Sequence, residues 1–243
     1  MRNQHAVRAF KDAGLWTLVQ FVVGDGSLLL LFLAYLFISR PKVVESGVIT
    51  GPIFTTNVVS GTIAMLVLWS IFRKRARGAA FSDLGYSFSK AAIVAGGLAA
   101  AVVLTIGEFG VYRIDEALFG PEPNLKTGLK DAGVAVAVLF LVSNGFLAPT
   151  VEEYVWRGMV QRNFRVAWGP VKAVIVTALL FTAKHIVTDL SFVRTMQLLF
   201  FSFLVGYVAF RSGTGASTVA HLFANTGATL LFILDTFGVI QIH

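Results

Sequence analysis

Two adjacent carboxylates and an arginine stand close together in a chain that is otherwise rich in apolar residues. The stretch from Thr150 to Gly158 is T-V-E-E-Y-V-W-R-G, which places Glu152, Glu153 and Arg157 within six positions. A charged side chain at the centre of a bilayer costs about 2.5 to 3.5 kcal/mol on insertion scales, so charges at that depth are usually kept for a use. These three charges are the first candidate for a site of chemistry.

On a helix, the two acids of this stretch would have different surroundings. Glu153 and Arg157 would lie one turn apart on the same face, with the acid N-terminal to the base, which is the favourable order for an ion pair. Glu152 would lie about 100° round the helix from Glu153 and could face a different cavity. We therefore predict that Glu153 is structural and that Glu152 is available for chemistry.

An ordinary solvated ion pair at the cytoplasmic end of a helix is the alternative for the same residues. Pro149 is typical of a helix start, and Arg162 and Arg165 follow soon after the acidic pair. The composition of the whole chain argues against this alternative.

The composition is that of a polytopic membrane protein. Of the 243 residues, 56% are hydrophobic and 14% are charged, whereas a soluble domain averages about 25% charged residues. The net charge of +7 comes from bases between apolar spans, a pattern that indicates membrane topology and not a nucleic-acid partner. The chain contains no cysteine, which excludes disulfides, thiolate metal sites and a cysteine nucleophile.

Long apolar stretches predict an all-α, polytopic transmembrane helical bundle of about seven to eight helices, because lipid leaves only helices or closed barrels as spanning structures. Residues 151–168, which contain the acidic pair, are predicted to form a separate amphipathic helix beyond a break at Pro149. The predicted spans are at about 15–38, 53–72, 91–112, 131–148, 171–188, 192–210 and 217–237.

The positions of the bases predict the topology. The N-terminus, residues 73–90, residues 162–172 and Arg211 fall on one side of the predicted membrane, and the positive-inside rule makes that side cytoplasmic. The first apolar stretch is too long for the core of a signal peptide, so we expect it to be a retained span. The predicted location is an integral, multi-pass membrane protein with a cytoplasmic N-terminus, in the cell membrane if the source is prokaryotic.

Two of the four histidines stand in late spans. His185 follows Phe181 by four residues, so the two share one helix face. Asn225 stands in the same relation to His221. Because polar side chains in spans normally face the bundle interior, we expect Glu152 and these polar residues to converge on one buried pocket. Six other polar residues are given no catalytic role: His5 and His243 near the termini, and Asp25, Glu108, Asn144 and Asp235, interpreted as structural or near the interface.

The combination of these residues resembles the CPBP family, which includes the CAAX prenyl endopeptidases of the eukaryotic endoplasmic reticulum and the bacterial Abi proteins. The run from Gly206 to His221 is also similar to the family's approach to its last motif, and the resemblance covers about residues 148–226. It implies a catalytic helical core in residues 131–243 that follows N-terminal transmembrane helices in residues 1–130, within a single integral membrane domain. The three motifs are Glu-Glu-x-x-x-Arg at Glu152, Glu153 and Arg157, Phe-x-x-x-His at Phe181 and His185, and His-x-x-x-Asn at His221 and Asn225.

The resemblance implies an intramembrane endopeptidase that hydrolyses a peptide bond with water activated by a glutamate. By position, Glu152 and His185 would hold and deprotonate the water. Glu153 and Arg157 would brace the site.

The last motif has an implied role in stabilising the transition state. By position, His221 and Asn225 would stabilise the developing oxyanion, where one such donor is worth about 2.7 to 4 kcal/mol. A covalent nucleophile is not needed in this scheme.

The sequence leaves the use of a metal ion open. Glu152, His185 and His221 could form a zinc site with water as the fourth ligand, and the family has been described both as metalloproteases and as glutamate proteases. However, the chain lacks H-E-x-x-H, and Asn225 is a poor zinc ligand. We favour chemistry without a cofactor and keep a divalent metal ion, zinc, as the alternative.

Two positions depart from the family's pattern. Trp156 stands before Arg157 where a smaller aromatic residue is usual, and Lys184 stands before His185 where a small or apolar residue is commoner. Lys184 would either keep His185 neutral or extend to the membrane interface. These departures concern the substrate more than the class of reaction.

The expected partners are the lipid bilayer and a membrane-anchored or lipidated peptide or protein, with a prenylated C-terminal tail as one possibility. One alternative is a non-catalytic immunity or peptide-binding protein with the same fold, and another is a small proton-coupled transporter. The intact set of acids, histidines and asparagine argues against the former, and the absence of matching broken helices argues against the latter. The chain also lacks G-x-S-x-G and a second aspartate to match Asp25, which disfavours rhomboid and presenilin chemistry.

Overall fold

The apolar stretches form helices wherever the computed structural model describes the chain, which is at residues 2–26, 29–30, 33–34, 37, 49–75, 81–120, 125–189 and 192–241. We number eight helices in these residues: α1, Arg2–Val19; α2, Gly51–Arg75; α3, Lys90–Phe119; α4, Leu125–Ala132; α5, Val134–Trp168; α6, Pro170–Asp189; α7, Thr195–Ser212; and α8, Thr214–Thr236. The described residues contain no strand. His243 and seven residues of the first predicted span, 27–28, 31–32, 35–36 and 38, lie outside the described residues.

The lengths and compositions of these helices suit a bilayer. Five of them, α2, α3, α5, α7 and α8, are long and apolar enough to cross a membrane. About 20 apolar residues are needed to cross the hydrocarbon core. This confirms the predicted all-α polytopic transmembrane bundle.

The predicted helix break at Pro149 is wrong, because α5 is one continuous helix from Val134 to Trp168. Proline has no N–H to donate, and its ring crowds the preceding turn. Here a π-helical stretch, Leu141–Leu147, comes directly before the turn that holds Pro149, and such local changes of pitch let a membrane helix accommodate proline without breaking. The acidic pair therefore lies near the middle of a long helix.

A close approach between α3 and α8 places the last motif. A Cβ added at Gly96 would lie only 2.5 Å from the carbonyl oxygen of Ala216. Small residues let two membrane helices approach this closely and pack backbone against backbone. His221 lies about two turns into α8 from Thr214, so the contact fixes the height and rotation of that histidine.

A buried carboxylate of α3 holds the start of α7. Asp115 is fully buried, and its two side-chain oxygens accept hydrogen bonds from the backbone N–H groups of Met196 (2.8 Å) and Gln197 (2.7 Å). The first N–H groups of a helix have no partner within the helix and carry partial positive charge, so a carboxylate there is stabilising. Asp115 thereby positions the helix that forms one wall of the site.

At one end of the bundle, the connection between α2 and α3 packs on the start of α8. Thr214 donates its N–H to the Gly85 carbonyl (2.8 Å) and its hydroxyl to the Leu84 carbonyl (2.7 Å). Trp168, the last residue of α5, lies at this end of the bundle as well. Its ring packs on that of Phe10 in α1, with the ring centroids 5.0 Å apart. Several of the segments predicted to be cytoplasmic thus meet at one end of the bundle. That this end faces the cytoplasm stays a prediction.

Gly96→Ala should destabilise the protein by about 1 to 3 kcal/mol, the usual cost of overpacking, because the new methyl meets a backbone oxygen that cannot move freely. The matched control is Gly97→Ala, since a Cβ at that position meets nothing within 4 Å. Unfolding in detergent, followed by circular dichroism, measures both. Equal midpoints for the two variants would show that the approach of α3 to α8 is not tight.

Candidate active site

The bundle encloses a cavity of about 220 Å³ that α5, α6 and α8 line with the predicted residues. Glu152 comes from α5, His185 from α6, and His221 and Asn225 from α8. Phe181, Leu198 and Phe201 supply apolar walls. Residues separated by more than 70 positions in sequence therefore face one space, as the interior location of polar residues in spans predicts.

Beside this cavity, Glu153 and Arg157 form a buried ion pair. Both side chains are completely buried, and Arg157 Nη1 lies 3.2 Å from Glu153 Oε1. Arg157 Nη2 also donates to the hydroxyl of Ser202 on α7 (3.0 Å), and its guanidinium lies 4.8 Å from the ring centroid of Phe181. The alternative of a solvated pair at a helix end is therefore wrong.

His221 bridges the two acids. Its Nδ1 lies 3.0 Å from Glu153 Oε1, and since an ionised carboxylate only accepts hydrogen bonds, Nδ1 is the donor. Its Nε2 lies 3.7 Å from Glu152 Oε2. The ring meets Phe201 edge-on, with the centroids 4.6 Å apart. These contacts fix both the rotation of the imidazole and the nitrogen that faces the cavity.

Lys184 turns inward and contacts Glu152. Its Nζ donates to Glu152 Oε1, and only 3% of the residue is exposed. The expectation that Lys184 extends to the interface is therefore wrong. In a low-dielectric interior the nearby carboxylate attracts the ammonium more strongly than it would in water.

His185 faces the same oxygen of Glu152 as Lys184 does. Its Nδ1 donates to the Phe181 carbonyl (2.9 Å), because a carbonyl oxygen can only accept. In the neutral ring, Nε2 then carries a lone pair, and it lies 4.0 Å from Glu152 Oε1. This distance is too long for a direct hydrogen bond, but a water molecule can contact both atoms.

Asn225 is held in place by α5. Its Nδ2 donates to the backbone carbonyl of Asn144 (3.1 Å), and the Asn144 side chain donates to the hydroxyl of Thr229 (2.7 Å). Asn144, interpreted above as structural, also lines the cavity. Within the described part of the chain, the other N–H of the Asn225 amide has no acceptor.

Tyr86 lies close to the acidic pair but carries no motif in the sequence. Its ring packs near that of Tyr154, with the centroids 6.4 Å apart. Burial raises the pKa of the Tyr86 hydroxyl above its usual value, and the charge of Glu153 acts in the same direction. Tyr86 therefore stays neutral and covers this side of the acidic pair.

The remaining polar residues of the sequence analysis lie elsewhere. Asp235 pairs with Lys126 (2.6 Å), and His5 is exposed. The side chains of Asp25 and Glu108 lie outside the described residues. Arg194 and Gln197, at the start of α7, line the cavity but stand in no recognisable sequence pattern.

The residues of the cavity do not fit a zinc site as they are arranged. Within the described ranges, no group of three His, Cys, Asp or Glu side chains is placed to hold a metal ion. The ammonium of Lys184 also contacts the Glu152 oxygen that faces His185, and two cations at one oxygen would repel each other. The reaction proposed below therefore contains no step through a metal ion.

Lys184→Met should destabilise the protein by about 3 to 5 kcal/mol, because it leaves the Glu152 carboxylate buried without its cation. The double variant Glu152→Gln/Lys184→Met should recover most of that loss. Unfolding midpoints in detergent measure both, with Lys172→Met as the control because Lys172 is exposed on the same helix. If Lys184→Met and Lys172→Met cost the same, the buried pair does not contribute to stability.

Residues 134–227 match the family model of type II CAAX prenyl endopeptidase Rce1-like proteins. No curated protein and no solved structure matches the chain. The matched segment is less than half of the chain, but it contains all six residues predicted for the site, from Glu152 to Asn225. Residues 134–227 are therefore similar to an Rce1-like domain, and this match supports the resemblance of the three motifs to the CPBP family.

Proposed function

We propose that this protein is an intramembrane endopeptidase that hydrolyses peptide bonds of membrane-associated peptides with water activated by Glu152. The observation that carries the proposal is the placement of Glu152 Oε1 and His185 Nε2 4.0 Å apart on one cavity. His221 and Asn225 line the same cavity. General acid–base catalysis requires such groups within hydrogen-bond reach of the reacting water.

The water would donate one hydrogen to Glu152 Oε1 and the other to His185 Nε2, which leaves an oxygen lone pair to attack the substrate carbonyl. Lys184 keeps Glu152 ionised and therefore able to accept the proton. As the tetrahedral intermediate collapses, Glu152 returns that proton to the leaving amine. Atoms and charge balance without a covalent intermediate.

The developing oxyanion would lie against α8. The free N–H of Asn225 is one donor. His221 can be a second donor through Nε2 only when both ring nitrogens carry protons, since Nδ1 already donates to Glu153. A preorganised donor of this kind is worth about 2.7 to 4 kcal/mol in the transition state.

The place and size of the cavity support an extended, membrane-associated substrate. A space of about 220 Å³ can hold a short piece of peptide but not a folded domain, and it lies within the transmembrane bundle. We propose lipidated peptides, with prenylated C-terminal tails as one class, in agreement with the CAAX prenyl endopeptidase description of the matched family.

Glu152→Gln should lower kcat/KM by about 100-fold or more, because general-base catalysis contributes about 10²- to 10⁴-fold. The measurement is cleavage of a panel of membrane-anchored and lipidated reporter peptides by purified, chelator-treated protein. Glu116→Gln is the matched control, since it makes the same change at a half-exposed glutamate on α3. Chelation should leave the activity of the wild type and of the control unchanged.

Three other results would contradict this proposal in different ways. Undiminished cleavage by Glu152→Gln would exclude Glu152 as the base. Activity that disappears on chelation and returns with zinc would make Glu152, His185 and His221 metal ligands. Peptide binding without cleavage by the wild type would favour the non-catalytic binding protein.

A membrane-anchored reporter should be cleaved faster than the same peptide without its anchor, because the cavity lies among helices that cross the membrane. Comparison of the two peptides in nanodiscs measures the difference. Equal rates for both peptides would show that soluble peptides reach the cavity as readily as membrane-anchored ones.

A further inference from the structure

A second cavity, of about 140 Å³, lies at the end of the bundle where α7 ends and α8 begins. Its walls carry three arginines, Arg157, Arg162 and Arg165, together with Gln161 and Thr214. We propose that this cavity binds a phosphate group, and that the phosphate belongs either to an anionic lipid headgroup or to a soluble phosphate.

The positive charge of this cavity is only partly compensated within the described part of the chain. Arg157 pairs with Glu153. Arg165 lies 5.3 Å from the ring centroid of Phe210 and has no ion pair among the described residues. Arg162 has no ion pair among them either. Guanidinium groups bind phosphate oxygens in pairs of parallel hydrogen bonds, so the cavity presents the donors that a phosphate requires.

Two of the lining side chains have buried polar atoms without a partner. Only 3% of the surface of Arg157 is exposed. Its Nε donates to no acceptor among the described residues. Gln161 donates through Nε2 to the Gly206 carbonyl (2.9 Å), but its Oε1 accepts from no group there. A phosphate oxygen would satisfy the arginine, and a phosphate hydroxyl or a bridging water would satisfy the glutamine. Buried polar groups in proteins normally have such partners.

The start of α8 adds to the attraction. Gly213 and Thr214 line the cavity, and α8 is a helix of 23 residues. The N-terminal end of a helix carries partial positive charge, which attracts an anion, although the first N–H of α8, that of Thr214, already donates to the Gly85 carbonyl. The volume equals that of about four to five water molecules at about 30 Å³ each, which suits a tetrahedral oxyanion and is too small for a peptide.

The position of the cavity explains why a lipid is one source of the phosphate. It lies at the level where the candidate spans Thr195–Ser212 and Thr214–Thr236 end and begin, which is where headgroups meet a membrane protein. Anionic headgroups attract arginines at this level. The proposal does not depend on the peptidase reaction, although the site shares Arg157 with the acidic pair.

The test measures the unfolding midpoint of the protein in nanodiscs, because a ligand that binds only the folded state raises that midpoint. One series replaces phosphatidylcholine stepwise with phosphatidylglycerol. A second adds inorganic phosphate to phosphatidylcholine nanodiscs at constant ionic strength. We expect at least one series to raise the midpoint of the wild type, and a response to phosphatidylglycerol alone would assign the site to lipid. A response to inorganic phosphate would assign it to a soluble phosphate.

Arg162→Gln/Arg165→Gln should lose most of the rise, which corresponds to affinity weaker by roughly tenfold to a hundredfold because charge-assisted hydrogen bonds are removed. The matched control, Lys172→Gln/Arg211→Gln, removes the same charge from exposed positions at the same end of the bundle and should keep most of it. Equal losses in both double variants, or no rise with either probe, would overturn the proposal. The same result is expected in a Glu152→Gln background, so failure of the peptidase proposal would leave this test intact.

Discussion

One carboxylate oxygen connects most of the site. Glu153 Oε1 pairs with Arg157 and accepts a hydrogen bond from His221, while Arg157 reaches Ser202 on α7. Removal of one partner from a buried ion pair typically costs about 3 to 5 kcal/mol. The need to keep this charge paired therefore fixes three helices, α5, α7 and α8, relative to one another.

The second acid adds α6 to this arrangement through Lys184. The two ion pairs leave the centre of the bundle close to neutral. In the proposed reaction Glu152 becomes neutral as it takes a proton, and the negative charge appears on the substrate oxygen instead. Lys184 and the site's other donors thus face the same total charge before and after the attack, so little reorganisation of the surroundings is required.

The motifs predicted those features that depend on residue spacing along a helix or on the preference of polar residues for the bundle interior. Spacing of four residues predicted the pair of Glu153 with Arg157, and the interior preference of polar residues predicted that Glu152 and His221 would share a pocket. The inward turn of Lys184 depends on how α6 crosses α5, and local sequence does not specify this. The break at Pro149 was wrong because a membrane helix preserves its backbone hydrogen bonds where a soluble helix would end.

The change in helical pitch that follows the acidic pair has a geometric consequence for α5. The stretch Tyr154–Gln161 is π-helical, and each of its hydrogen bonds spans one residue more than a hydrogen bond of an α-helix does. One residue corresponds to about 100° of rotation. The length of this short stretch therefore sets the angle between the face that presents Glu152 and the face that presents Arg165. In evolutionary terms, a single insertion or deletion there would rotate the arginine face against the acidic face without any change in their residues.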